Sequence, residues 1–270
     1  MGHERVGTLP KTKSWQGIVG LMTGGGAGGA SGGNRTSDFD PGAVASATLE
    51  QVRRRFRQLQ QDDATTAAFT FLIEVAVAAR PAEDDAELRR LALGSPDKIT
   101  PLKLSRALQK RVAAAAEFPE YAAIAESAAI DALAQWYDAN KPRQAGLFAS
   151  FDDSYSTWHQ TSTGAGFCEM SRLFFANLLR RYLNYFLERE ASRVIPSLAE
   201  RDRFRDRMGA HVEDVSKHAF ETSKIVQSYA AGWFNSHAKN GVPSEREIDG
   251  FLSYGFGKMR DELTREPVDK

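Results

Sequence analysis

The sequence holds one cysteine, Cys168, among its 270 residues. That excludes an internal disulfide framework and any cysteine-rich zinc centre. It has no uninterrupted apolar run of roughly 18 residues, so no segment reads as a membrane-crossing helix. It carries no net charge, 35 Lys and Arg balancing 35 Asp and Glu, so global electrostatics favour neither nucleic acid nor an anionic lipid surface as partner. No alternating apolar–polar stretch of useful strand length is present, and no fixed-period repeat. The apolar patch Ile18–Met22 is too short for a signal core and runs into glycine instead of a cleavage site. With the lone thiol, that suits the cytoplasm. The 24 Arg against 11 Lys, with abundant Ala, points to a GC-rich bacterial gene.

What is present divides unevenly. Residues 1–42 hold 12 of the 22 glycines, and Gly24–Gly33 has seven in ten positions. Glycine loses the most backbone entropy on ordering, and this run has no side chains to bury in return. Residues 23–37 are therefore expected to be a flexible linker. Ahead of it, Trp15, Ile18, Val19, Leu21 and Met22 make a peptide too apolar for an idle tail. The expectation for residues 1–40 is a sticky segment on a glycine tether, with Trp15, Ile18, Leu21 and Met22 as anchors for another protein or for the body of the chain itself. Tryptophan suits an anchor because it buries a large area with few rotatable bonds.

The remainder reads as helices, making an all-α, multi-helix bundle-like body. Asp40-Pro41 is an N-cap followed by proline at the first helical position, and apolar spacing continues to about residue 61. Further helices are expected over 64–79, 84–93, 101–117 and from Pro119 to about Asn140. Residues 143–166 lose the periodicity and read as a long loop, which divides the body into helical subdomains at 41–142 and 167–270. Phe167–Val194 is apolar around most of its circumference, as expected of a central helix. Ser197–Glu200 and Ser244–Glu247 are capping boxes. They open a helix expected to run to about His237 and a last one over 245–265.

Several residue groups have the composition of a site. Gly24–Gly33 is not followed by the Lys-Ser/Thr that a phosphate loop needs, so it reads as linker. His211, Asp214, His218 and Glu221 share one helical face, a stripe able to hold a general base. The two imidazoles, however, lie two turns apart, about 10.5 Å, too far to share an ion, so no metal is expected. In the long loop, Asp152, Asp153, Trp158 and His159 precede Cys168, a thiol that a neighbouring histidine could activate. Arg53, Arg54, Arg55 and Arg57 form a basic turn suited to phosphate backbones, and Arg180-Arg181 a smaller one. Balancing acids nearby, and the absence of a helix-turn-helix signature, favour an ion-paired solvent face.

No group has the spacing of a known catalytic or cofactor motif. The sequence therefore favours a non-enzymatic interaction or scaffold subunit of a larger bacterial assembly, docking through its N-terminal peptide and needing no cofactor. Two alternatives stay open. One is an enzyme using His159 and Cys168, or His211 and His218. The other is a nucleic-acid-binding accessory protein using the Arg53–Arg57 turn. In layout, a glycine-rich N-terminus ahead of a helical body, the chain resembles accessory proteins of bacterial anti-phage defence operons, which would imply the second alternative.

Overall fold

A computed structural model describes residues 12–23, 39–81, 86–92, 99–141, 153–221 and 229–264. Among these residues every regular element is helical. A short N-terminal helix, α1 (Lys13–Met22), precedes α2 (Pro41–Gln51), α3 (Arg53–Gln60) and α4 (Asp63–Ala78). Then come α5 (Ala86–Leu91), α6 (Pro101–Ala115), α7 (Pro119–Asn140) and α8 (Asp153–His159). A 3-10 turn, Gln160–Ser162, leads into α9 (Gly164–Val194), followed by α10 (Leu198–Glu221), α11 (Tyr229–His237) and α12 (Glu245–Leu263).

Local chemistry places most of these boundaries. Asp40, Asp62, Thr100 and Thr163 each accept a backbone N–H of the first turn of the helix that follows, so orphan amide donors are satisfied at four helix starts. Proline occupies the start of α2, α6 and α7, where its missing N–H costs nothing. At α12 both halves of the Ser244/Glu247 capping box are made. That carboxylate sits below its ordinary pKa because it accepts from the Ser244 hydroxyl and backbone.

The architecture is organised around α9. Seventeen of its 31 residues are buried, so it cannot lie on one surface of a layer. It is instead packed by α1, α2, α4, α7, α10, α11 and α12. Its aromatic side chains meet partners from nearly every neighbour. Phe167 stacks on Phe234 at 4.4 Å, Phe174 contacts Phe69 at 5.2 Å, and Tyr182 lies 5.4 Å from Phe56. The buried side chains form one contiguous cluster that runs from Trp15 to Leu263. The halves before and after the expected loop thus share one core.

Two expectations about continuity are corrected, and a third falls partly outside the described residues. The helix expected over 41–61 is broken at Val52, whose φ of −103° and ψ of 15° end α2 and begin α3. The Tyr182 hydroxyl donates to the Val52 carbonyl at 3.4 Å, so tertiary packing marks a break that spacing did not. The loop expected over 143–166 contains α8, the 3-10 turn and the first residues of α9; its residues 143–152 lie outside the described set. The helix expected to reach His237 is described as α10 and α11, with 222–228 outside that set.

The junction into α9 is tight. Gly166 donates its N–H to the Thr163 hydroxyl at 3.0 Å, and a Cβ placed there would fall onto the Gln160 carbonyl. Because the obstacle is backbone, Gly166→Ala is expected to destabilise the protein by roughly 1–3 kcal/mol, read as a lower midpoint in urea unfolding. An unchanged midpoint would show that the junction has room for a methyl group.

Candidate functional site

Of the sequence-flagged groups, the N-terminal peptide is built most completely. Thr12 caps α1 by accepting the Trp15 N–H at 3.1 Å, and the Thr23 hydroxyl donates to the Gly20 carbonyl at 3.1 Å. Lys13, Ser14, Gln16 and Gly17 face solvent, while Trp15, Ile18 and Met22 are 2%, 1% and 0% exposed. Their i, i+3, i+7 spacing puts one apolar stripe against α2 and α9. Leu21 and Val19 are partly buried beside it. The anchors therefore sit on the chain's own body.

The polar contact in this groove is specific. Trp15 Nε1 donates to Glu190 Oε1 at 3.0 Å, and the indole meets Phe186 edge-on at 6.5 Å. Glu190 is itself buried, and its second oxygen accepts Arg193 Nε at 2.9 Å. A buried carboxylate is costly without such donors, and a buried indole N–H needs an acceptor. Each group answers the other's requirement. Residues 24–38, which include the glycine run and most of the expected linker, lie outside the described set.

The other flagged residues are distributed differently. Trp158 is fully buried, stacked against Trp136 at 5.6 Å and Tyr137 at 5.2 Å, and it donates Nε1 to the Ile99 carbonyl at 2.9 Å. It is thus a core residue that ties α8 to the start of α6 and does not belong to a loop surface. His159 and Cys168 are both half-buried, and the Cys168 thiol lies 4.0 Å from the Phe220 carbonyl. Asp152 and the side chain of Asp153 lie outside the described set. Arg53, Arg54 and Arg57 are exposed, and Arg53 lies 3.9 Å from Glu50. Arg55 turns inward and stacks over Phe186 at 5.7 Å, which separates it from the other three.

The stripe on α10 is split by burial. His218 and Asp214 are exposed, whereas His211 is half-buried with its Nε2 enclosed and without a hydrogen-bond partner. The imidazole packs against the start of α2, where a Cβ on Gly42 would stand 3.4 Å from His211 Cε1. The side chain of Glu221 lies outside the described set. Among the described residues no three His, Cys, Asp or Glu side chains are grouped to hold a metal ion.

One arrangement was only half legible in the sequence. A groove of about 450 Å³ lies between α7 and α10 with α9 as its floor, lined by Arg180, Arg181 and Arg205 together with Gln135, Asn177 and Asn184. Arg180-Arg181 stands out as a basic pair, but its partners come from two other helices. Polar residues at 177, 180, 181 and 184, in a helix otherwise rich in Phe and Leu, are the signal that marks this face.

No family model matches the chain, and no curated protein or solved structure is significantly similar to it.

Burial holds the His211 imidazole below its ordinary pKa, more strongly than the nearby charges of Asp40 and Asp214 raise it. A folded-state value below the unfolded 6.5 means that the unfolded chain binds the proton more readily. Stability from this group is therefore complete above about pH 6.5 and declines as pH falls toward the folded-state pKa. A proton NMR titration is expected to place the His211 midpoint below those of freely solvated histidines. A midpoint at 6.5 or above would show the ring to be open to water.

Proposed function

We propose that this chain is a non-enzymatic interaction subunit of a larger protein assembly, working in the cytoplasm of a bacterium, and that α1 is its docking element. The observation that carries this is the form of α1. It is a one-sided amphipathic helix whose three anchors are almost fully buried, and it joins the body through a stretch with seven glycines in ten positions. Such a helix is the usual ligand of a helix-in-groove interface.

The energetics favour a helix that is held but exchangeable. Ten residues are fewer than the roughly 12–15 at which isolated helices persist in water, so α1 depends on its three buried anchors, each contributing roughly 1.5–3 kcal/mol before ordering costs. Because α1 belongs to the same chain as its groove, the two meet at an effective concentration on the order of millimolar, so modest intrinsic affinity keeps it docked. A partner with a better-fitting apolar groove and a buried acceptor for the indole N–H can then take it. Specificity would come from that acceptor, because an unpaired buried indole N–H is penalised.

The test uses full-length protein as bait beside Trp15→Ala, Ile18→Asp and a chain lacking residues 1–40. Circular dichroism would check that each body stays helical. A defined partner recovered with the full-length bait and reduced at least tenfold with all three altered baits is the expected result. Equal recovery with all four, or no specific partner with the full-length bait, contradicts the proposal.

A further inference from the structure

The polar groove over α9 is independent of α1, and its guanidinium N–H donors outnumber the acceptors they meet. Arg180 and Arg181 both turn to the one carboxylate of Asp131. Its Oδ2 accepts from Arg181 Nη2 at 2.7 Å, from Arg181 Nε at 3.1 Å and from Arg180 Nη2 at 3.4 Å. Arg180 Nη2 also donates to Asn177 Oδ1 at 2.7 Å. Arg205 pairs with Asp202 through Nη2 at 2.8 Å. A guanidinium has five N–H donors on three nitrogens, so Nε and Nη1 of Arg180, Nη1 of Arg181, and Nε and Nη1 of Arg205 remain for a ligand.

The groove is also polarised along its length. α9 and α10 are consecutive and antiparallel, so Arg205 lies beside the Asn184 end, Gly209 beside Arg180, and Glu213 beside the Asn177 end. At the Glu213 end Arg172 is buried and already satisfied. It donates to Glu213 at 2.6 Å, to Ser216 at 3.0 Å and to Glu169 at 2.7 Å. Burial opposes its charge, but these acceptors outweigh burial and hold the guanidinium above its ordinary pKa. At that end Asn177 is already satisfied, exchanging hydrogen bonds with the Gln135 amide at 3.3 and 3.2 Å and donating to the Leu173 carbonyl at 2.8 Å. A ligand's donor groups therefore meet the outer side of the Gln135 amide and Glu213 Oε2, the oxygen that Arg172 does not use. The other end offers guanidinium donors, with the exposed Asp206 at its rim. From residue 177 to residue 184 the floor runs about 10.5 Å, the span of a nucleoside with its phosphates.

We propose that this groove binds a phosphorylated nucleoside, with its phosphates on Arg180, Arg181 and Arg205 and its amine-bearing base toward Gln135 and Glu213. Arginine forks match phosphate oxygens in pairs, and the acids in the lining disfavour an anion that brings no donor of its own. A volume of about 450 Å³ is in the usual range for a small-molecule site.

Isothermal titration of the full chain with ADP, and separately with inorganic pyrophosphate at matched ionic strength, tests this. Two variants report on the groove without relying on buried residues. Arg205→Ala removes an exposed donor. Gly209→Leu places a side chain into the groove from a helical glycine whose Cβ would stand at an ordinary 3.5 Å from Arg180 Cδ. The expected result is saturable ADP binding, at least tenfold tighter than pyrophosphate. It should weaken at least tenfold in Arg205→Ala and be lost in Gly209→Leu, with both variants melting within a few degrees of the parent. No ADP binding at millimolar concentration, pyrophosphate binding as tightly as ADP, or affinity indifferent to both variants overturns the proposal.

Discussion

The enclosure of α9 is the constraint on which the rest of the structure depends. A helix that is apolar around most of its circumference is stable in water only if neighbours cover every side. Seven other helices cover its apolar sides here, leaving the polar strip at Arg180 and Arg181 open as the groove floor, and they come from both halves of the sequence. Polar side chains that α9 buries are costly unless matched, since an unmatched buried polar group costs about 1–3 kcal/mol or more. Arg172 finds Glu213 on α10, Arg181 finds Asp131 on α7, and Glu190 finds Trp15 on α1. Each of these pairs fixes the position of one covering helix along α9. Polar residues on the central helix thereby act as registration marks, and both candidate sites lie where such marks are found.

The helical class and most helix starts were legible because they rest on local chemistry. Caps at Asp40, Thr100 and Ser244 and prolines at 41, 101 and 119 act within one turn, so a sequence displays them directly. The misplaced features were tertiary. Val52 has nothing local to end a helix, and the break is matched by the Tyr182 hydroxyl 130 residues away. Trp158 sits among Asp, Ser and Thr, which hid its role. Its burial depends on Trp136, Tyr137 and the Ile99 carbonyl, none of them near in sequence.

The sites show the same division. The anchors Trp15, Ile18 and Met22 were marked out, together with Leu21, by their apolar character, but sequence did not decide that their groove belongs to the same chain, because Glu190 gives no sign in sequence of awaiting an indole. The arginine-lined groove was invisible as a site for a related reason. Arg180-Arg181 is a basic pair in sequence, while Gln135 and Arg205, 45 residues before and 25 residues after Arg180, become its neighbours only when α7 and α10 close over α9.

Among the covering helices α1 is short and lightly joined. It has ten residues, below the roughly 12–15 at which isolated helices begin to persist in water, and it leans on three apolar anchors and one indole hydrogen bond. α7 and α10, with 22 and 24 residues, bury far longer faces against α9. An element joined so lightly should open by itself, without unfolding what lies beneath it. Native-state amide hydrogen exchange resolved by residue measures this most directly. A releasable α1 exchanges its amides at least a hundredfold faster than the central amides of α9, with little response to denaturant below the global transition. Exchange of α1 only together with α9, through global unfolding, would make α1 an integral part of the core and contradict its role as a releasable docking helix.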